Sequence, residues 1–337
     1  DLTLPNKLSF IPEMNCYNTS LLPAAWHRLA HRHRTCINQL PYGWACTVGH
    51  PYNTLNWNGE AFDWTTFDAV AGPMLDGSMF KDELRSGEPV DVFYLPFNEA
   101  WPVDMVANFT PSYWADEAFT AAYRNEMQKA FAAFVQHIDR KKWHDTAFEF
   151  YLNNKVYNRQ QTRRNIAPWI FDEPCDTKDF WALRWYGILW RQATDPVRGD
   201  ARVFYRGDIS YGQHGRDMFW GIMDIEVIGG INAQKVRMKH DEWRLFGQNI
   251  ATNYGSANKI EDSNMQPVVW CLETWAKGGR RVLPWQTIGN QNTWRTAEQT
   301  SLFYPDLSGD SQKSPIPSAR LKSFRRGQQD VEYLTLL

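Results

Sequence analysis

The chain has 337 residues, enough for one large domain or two of ordinary size, and its 43% hydrophobic content is that of a globular protein. Its formal charge of -2 gives no basic surface for a nucleic acid or an acidic membrane. No run approaches the roughly 18 apolar residues of a membrane helix, so we expect no nucleic-acid partner and no membrane span.

Nine short apolar segments are predicted as strands, and they recur along the whole chain. In chain order they cover 8–15, 34–42, 90–99, 148–155, 168–174, 202–210, 224–230, 268–275 and 281–289. Continuous apolar runs of this length are typical of strands that are covered on both faces, as in a parallel sheet.

Helical patterns lie between these strands. Over 116–138, apolar residues recur every three or four positions, which predicts an amphipathic helix. Asp176, with Asp179 three residues later, predicts the start of another helix. A further helical pattern covers about 232–252.

The stretch HRLAHRHR at 27–34 places His27 and His31 one helical turn apart. A zinc protease motif would have glutamate at position 28, where this chain has Arg28. We therefore interpret the stretch as a basic helix leading into the second strand, and we predict no metal site.

Strands and helices that alternate over this length predict a single α/β domain, 1–337, folded as a (β/α)8 TIM-type barrel. Nine candidates exceed the eight strands of a barrel. Segments 148–155 and 168–174 lie close together, so one should be the fourth strand and the other part of a loop or hairpin above it. The alternative, a doubly wound sheet, lacks its usual signals, because neither GxGxxG after the first strand nor GxxxxGK[ST] occurs.

Polar and aromatic residues cluster at the carboxyl ends of the predicted strands, where such barrels place their functional groups. The polar residues at these ends include Glu13, Asn15, Asn153, Asn154 and Arg206. The candidate sugar contacts are Tyr94, Asn98, Trp101, Tyr205, Asp208, Trp270, Glu273, Trp275 and Trp285. Carboxylates, amides and flat aromatic faces on one rim are typical of a glycosidase.

The stretch WIFDEP at 169–174 ends an apolar run on two adjacent carboxylates, Asp172 and Glu173. Neighbouring residues on a strand point to opposite faces, so both carboxylates reach one ligand only where the strand ends. Pro174 should favour an extended Glu173 and end the pairing. We interpret the pair as a proton donor beside a carboxylate with a different task. A helix cap or a loop salt bridge is the alternative.

The segment 302–337 resembles the closing signature of the catalytic domain of glycoside hydrolase family 123 and its relatives of unassigned activity. The matching residues are Tyr304-Pro305, Pro315-Ile316, Ser318, Arg320, Arg326-Gly327, Asp330 and Glu332-Tyr333-Leu334. FDEP at 171–174 is similar to the family's catalytic Asp-Glu-Pro, and 275–286 looks like the turn into its last strand. The resemblance covers about 150–337 clearly and the first half only in layout.

This resemblance implies a retaining hexosaminidase that uses the 2-acetamido group of its substrate as the nucleophile. Glu173 would be the general acid/base, and Asp172 would orient and stabilise the acetamido group. The residues agree, because one carboxyl must hold a proton while the other stays charged. We expect a glycoside hydrolase that acts, without cofactor, on a β-linked N-acetylhexosamine of the N-acetylgalactosamine type.

Two other functions stay open. In the first, a carboxylate of another strand, such as Glu273, attacks the sugar directly, and roughly 5 Å should then separate it from Glu173. In the second, the barrel binds glycans without cleaving them, and Glu173 is held in a salt bridge. In each case the partner is an oligosaccharide or polysaccharide. We expect a secreted or periplasmic protein and leave a cytoplasmic location open.

The five cysteines, Cys16, Cys36, Cys46, Cys175 and Cys271, are odd in number and show no CxxC spacing. This pattern indicates at most one disulfide bond and no disulfide framework.

Overall fold

The structure is a computed structural model that describes residues 3–17, 21–41, 55–110, 112–155, 169–210, 215, 218–229, 249–252, 259–296, 300–308 and 314–337. Within these ranges, eight strands form one sheet in which every paired neighbour runs parallel. They are β1 Ile11–Tyr17, β2 Cys36–Leu40, β3 Val92–Tyr94, β4 Ala147–Tyr151, β5 Val203–Ser210, β6 Ile225–Ile228, β7 Asn249–Thr252 and β8 Arg281–Val282. Their order in the sheet is β2-β1-β8-β7-β6-β5-β4-β3.

The two strands at the ends of this order, β2 and β3, meet and close the sheet into a barrel. Asn38 on β2 accepts a hydrogen bond through Oδ1 from the Tyr94 N–H on β3, at 2.9 Å. The Cys36 thiol lies 3.5 Å from the Val92 carbonyl oxygen. The predicted (β/α)8 barrel is therefore confirmed.

In the described part of the chain, six longer helices pack around the barrel: α1 Ala24–Arg32, α2 Thr65–Leu75, α3 Ala121–Lys141, α4 Thr177–Thr194, α5 Gln266–Ala276 and α6 Ala319–Leu336. Shorter elements are the helical turns Ser78–Phe80, Met105–Asn108, Ala115–Ala118 and Thr293–Thr296, and the strand pairs Asn56–Trp57 with Phe62–Asp63 and Phe303–Tyr304 with Ile316–Pro317. Among the described helices, none has the length and apolarity needed to cross a bilayer.

The sequence signals for α1, α3 and α4 are confirmed. Helix α1 leads into β2 and has His27 and His31 on its buried face. Thr120 caps α3 by accepting the Tyr123 N–H, and the apolar stripe of that helix is buried. Asp176 and Asp179 form the capping box at the start of α4.

The strand predicted over 268–275 is wrong, because these residues belong to helix α5. Val268, Cys271 and Thr274 recur every three residues on its buried face, which is a helical period. The seventh strand is instead β7, at the end of the segment predicted as helical. Pairing with β6 and β8 on its two sides outweighs the helical pattern there. The rest of that segment, 232–248, lies outside the described residues.

The other ambiguity concerned the fourth strand. It is formed by the FEFYLNNK segment as β4, and the described part of 168–174 forms a loop that carries Asp172 and Glu173. Two apolar clusters fill the space between sheet and helices. One is centred on α2, α3 and α4, and the other on α1, α5 and α6. Cys16, Cys36, Cys175 and Cys271 are free thiols, and Cys46 lies outside the described residues.

The inside of the barrel holds a cluster of buried charges. Arg206 Nη1 lies 2.7 Å from Glu13 Oε1 and 3.1 Å from Glu149 Oε2. Arg281 contacts the other oxygen of each glutamate. The two arginines and two glutamates balance in charge, which is the condition under which buried ions are tolerated.

Candidate active site

A small cavity of about 100 Å³ opens at the carboxyl end of the barrel strands. It is lined by Asn15, Tyr17, Lys155, Asp172, Glu173, Asp208, Leu283 and Trp285. These residues come from β1, from β5 and from the segments that follow β4 and β8.

The alternation of side chains along the strands builds this cavity directly above the ion pairs. Residues two apart on a strand share a face. Asn15 therefore follows Glu13 on the inside of β1, and Asp208 follows Arg206 on β5. In the same way Leu283 follows Arg281 after β8. The balanced ion pairs thus form the floor under the polar cavity.

The loop that carries the two carboxylates is anchored by Asp179 in the first turn of α4. Its carboxylate accepts hydrogen bonds from the backbone N–H groups of Ile170 at 3.1 Å, Cys175 at 3.2 Å and Asp176 at 2.9 Å. Asp179 is buried and also pairs with Lys178 at 2.7 Å. Both ends of the loop are therefore held by one side chain.

Glu173 lies at the turn of this loop, with φ of 59°. The expected extended conformation before Pro174 is wrong, because the backbone is in the left-handed region that residues other than glycine rarely adopt. The Glu173 N–H donates to the Asp208 carbonyl oxygen at 2.8 Å, which ties the loop to the end of β5. Strained backbone of this kind concentrates at functional sites.

Lys155 is the cation of the cavity lining that contacts the acidic pair, Asp172 and Glu173. Its Nζ lies 2.6 Å from Glu173 Oε2 and 3.6 Å from Asp172 Oδ2. Ser210 donates a further hydrogen bond to Glu173, at 3.3 Å. These two contacts hold the Glu173 side chain in place at the cavity wall.

Asp172 and Asp208 are both buried, and both carry perturbed acidities. Burial raises the pKa of Asp172 to about 6, with a further increase from the Glu173 charge and an opposing effect of Lys155. Burial and the neighbouring Asp172 raise the pKa of Asp208 well above its ordinary value. Groups whose pKa is shifted in this way, gathered in one cavity, indicate a functional site.

Four of the predicted site residues come together here: Asp172, Glu173, Asp208 and Trp285. Tyr94 lies below them inside the barrel, where its hydroxyl contacts Arg206. Asn98 and Trp101 follow β3 but are buried away from the cavity lining, and Trp101 packs on Phe97.

The remaining candidates are corrected by the structure. Tyr205 faces outward from the barrel, and its hydroxyl donates to the Leu183 carbonyl of α4 at 2.7 Å. Trp270 and Trp275 lie on α5, where Trp270 packs 6.0 Å from the Phe324 ring. Glu273 is exposed on the same helix, within 4.0 Å of Lys277. All three α5 residues were misplaced because 268–275 was taken as a strand.

Tyr17, Lys155 and Leu283 also line the cavity, although they were not among the predicted contacts. Asn15 was noted at the rim but not as a contact. The rule that function collects at strand ends would have selected Tyr17 at the end of β1 and Lys155 just beyond β4. Within the described ranges, no cluster of three or more potential metal ligands occurs.

No protein-family model matches the chain, and no curated protein sequence matches it. The endo-beta-mannanase/endo-beta-glucanase structure of Prevotella bryantii is 8% identical, with a TM-score of 0.49, over 95% of this chain and 48% of that one. A GH10 endoxylanase from a sugarcane soil metagenome is 10% identical, with a TM-score of 0.48, over 96% and 99%. A GH113 beta-1,4-mannanase is 11% identical, with a TM-score of 0.34, over 97% and 99%.

The chain thus spans about half the length of the Prevotella structure. These solved structures are named as glycoside hydrolases or as enzymes that act on β-linked polysaccharides. Identities this low and TM-scores below 0.5 do not assign the chain to one of their families.

Proposed function

We propose that the protein is a retaining glycoside hydrolase that cleaves a β-linked N-acetylhexosamine, of the N-acetylgalactosamine type, with the substrate's own acetamido group as nucleophile. The observation that carries this proposal is the position of Asp172 and Glu173, side by side on the wall of the barrel-mouth cavity. Trp285 and Tyr17 line the same cavity and offer aromatic faces to a sugar ring.

In this mechanism the acetamido oxygen attacks the anomeric carbon while the bond to the leaving oxygen breaks. Glu173 donates its proton to that oxygen, and the product is an oxazolinium ion. Water then adds to the anomeric carbon, the bond from that carbon to the acetamido oxygen breaks, and the water gives a proton back to Glu173. Asp172 holds the acetamido N–H and faces the positive charge, a task that suits a carboxyl with pKa about 6 because it is mostly ionised near neutral pH.

Glu173 must first leave Lys155, because a salt bridge exists only to the carboxylate and a donor must be the carboxylic acid. We propose that the leaving group enters between Glu173 and Lys155 and separates the two side chains, which lie 2.6 Å apart in the free protein. No cofactor takes part. The partner is an oligosaccharide or polysaccharide, and the protein acts in a secreted or periplasmic setting.

A second candidate function is glycan binding without cleavage. The Lys155–Glu173 salt bridge of 2.6 Å favours it, since this is the contact expected of a carboxylate that serves structure. Direct attack by Glu273 is not a candidate, because that residue lies on an outer helix and not in the cavity lining.

Hydrolysis of nitrophenyl glycosides and of unactivated glycans decides between cleavage and binding. We expect turnover of N-acetylhexosaminides and a loss of about 10²–10⁴-fold in Glu173→Gln, the usual contribution of a general acid. Glu273→Gln is the matched control and should keep full activity. Glycan binding without turnover by the wild type would support the binding function instead.

A further inference from the structure

The Asp208 carboxylate stands out because one of its oxygens has no partner. It is 5% exposed and lines the cavity from β5. Oδ1 accepts no hydrogen bond, although the atom is buried. An unpaired buried acceptor is destabilising, and a water, an ion or a ligand that donates a hydrogen bond to it relieves that cost.

A second unpaired acceptor, Asn15 Oδ1, lines the same cavity from β1. Asn15 is also 5% exposed. These two hydrogen-bond acceptors lie on different strands and face the same cavity, so a ligand with several hydrogen-bond donors would satisfy both. An ammonium group carries only donors and can serve more than one acceptor.

The charges of the described lining point the same way. Its three carboxylates, Asp172, Glu173 and Asp208, share one cation, Lys155. That cation lies closest to Glu173, at 2.6 Å. Arg206, in the floor below them, is already engaged by Glu13 and Glu149. Lys155 Nζ also lies 3.6 Å from Asp172 Oδ2, so a single described cation of the lining faces three carboxylates.

We propose that Asp172 and Asp208 form a subsite for positive charge on a sugar-sized ring, and that Asp208 is a further substrate-contacting residue. The inference rests on the proposed glycosidase function. The same subsite suits a protonated nitrogen of a bound ligand and the positive charge that develops on the sugar during cleavage. It thus gives Asp208 a role in selectivity that Asp172 and Glu173 alone do not supply.

Two sugars that differ only at the ring atom test this inference. One is 2-acetamido-1,2-dideoxynojirimycin, whose ring nitrogen is protonated, and the other is the neutral 1,5-anhydro sugar with a ring oxygen. Both are used in gluco and galacto forms. Calorimetry near neutral pH should show that the wild type prefers the nitrogen compound by about tenfold or more, the effect of one close charge pair.

Asp208→Asn should remove most of that preference while changing the affinity for the neutral sugar by less than about threefold, because the amide keeps the shape and loses only the charge. Asp172→Asn is a second, independent test variant and should also reduce the preference for the nitrogen compound. Glu273→Gln is the control, in which this preference should not change. An unchanged preference in Asp208→Asn would overturn the inference, as would a wild type that binds both sugars equally. Equal binding leaves the proposed glycosidase intact, whereas failure of every sugar to bind overturns both.

Steady-state kinetics distinguishes two possible sources of the positive charge: the charge that develops on the sugar during cleavage, and a protonated amine of the substrate. If Asp208 serves charge that develops in the reaction, Asp208→Asn lowers kcat on neutral N-acetylhexosaminides. If it serves a charged substrate, the variant instead raises KM for galactosamine or glucosamine glycosides with free amines and leaves kcat on the acetylated ones unchanged. Intact kcat and KM on both substrate types would contradict the subsite.

Discussion

Arg206 on β5 and Glu13 on β1 form a 2.7 Å ion pair across the inside of the barrel, although 193 positions separate them in the chain. The Arg206 guanidinium also lies over two rings, 4.9 Å from the Tyr94 centroid and 4.7 Å from the Tyr151 centroid. Both ends of the pair are buried, so water cannot replace either partner. The ion pair connects opposite walls of the barrel immediately below the candidate active site.

Removing one partner of this pair should therefore destabilise the protein strongly. Arg206→Met leaves Glu13 and Glu149 buried with fewer cations, and breaking a buried ion pair costs about 3–5 kcal/mol. Chemical denaturation measures the change in free energy of unfolding. Lys7→Met is the control, because its 2.6 Å bridge to Asp145 is largely exposed and should contribute less than about 1 kcal/mol. Equal effects of the two substitutions would contradict the role of the buried pair.

Asp208 should make stability fall as pH rises. Its pKa in the folded protein is raised by burial, so above the unfolded value of about 4 the native state binds more protons than the unfolded state. Stability is then greatest below that value and decreases as pH increases towards the folded pKa. Asp208→Asn removes this titration and should raise stability near neutral pH by about 1–3 kcal/mol.

Thermal unfolding at about pH 4 and about pH 7 checks this sign. The gain of Asp208→Asn over the wild type should be large at the higher pH and small at the lower. Asp82→Asn, at an exposed position, is the control and should show no such difference. If Asp208→Asn were more stable than the wild type only at the lower pH, the folded protein would favour the charged form of Asp208, and the expected sign would be wrong.

Seven of the eight barrel strands and the (β/α)8 fold could be predicted from the sequence, because buried parallel strands leave continuous apolar runs. The apolar run at 268–275 misled the assignment, since short buried helices and strands look alike without their period. β7 was missed because Asn249–Thr252 offers only four residues of local signal. Its strand state comes from the neighbouring strands on both sides.

At the candidate site, Asp208 and Trp285 were predictable from their places after apolar strand segments, and Asp172 and Glu173 from two adjacent carboxylates that end an apolar run. Trp270, Glu273 and Trp275 were predicted as sugar contacts only because 268–275 was assigned as a strand. Since this segment is helix α5, the three residues lie outside the candidate site. The Lys155–Glu173 salt bridge was not predictable as a contact, because it depends on how the loop after β4 turns back. The positive φ of Glu173 has the same origin, in a hydrogen bond to the distant Asp208 carbonyl.

Asp179 should matter for activity although it does not line the cavity. Asp179→Ala leaves the backbone N–H groups of Ile170, Cys175 and Asp176 without their acceptor, so the loop carrying the acidic pair loses its anchor. We expect kcat to fall by at least about tenfold, because small displacements of positioned groups are costly in catalysis. Asp179→Asn keeps one acceptor oxygen and should recover part of the loss.

Steady-state kinetics and thermal unfolding should be measured together on these variants. Asp195→Ala, at the other end of α4, is the matched control and should leave kcat unchanged. If Asp179→Ala lowered stability but kept wild-type kcat below its unfolding temperature, Asp179 would support only the fold. Recovery of kcat in Asp179→Asn beyond its recovery of stability would identify it as a positioning residue.

The substrate-assisted mechanism makes a prediction about which bonds form. Since the acetamido group is the nucleophile, no covalent bond between sugar and protein should appear after incubation with a 2-fluoro glycoside. A thiazoline that mimics the oxazolinium should bind far more tightly than the monosaccharide product, because it resembles the charged intermediate. Asp172→Asn loses the charge that faces this intermediate, so it should weaken the thiazoline much more than the product.

Intact-protein mass spectrometry and calorimetry measure these two outcomes. Asp208 is the described carboxylate of another strand that lines the cavity, so a fluorosugar adduct on Asp208 would show direct displacement and would move the substrate to sugars without an acetamido group. A thiazoline that binds no better than the product would also end the acetamido mechanism. The control, Glu273→Gln, should behave as the wild type in both measurements, because its carboxylate lies on the outer face of α5.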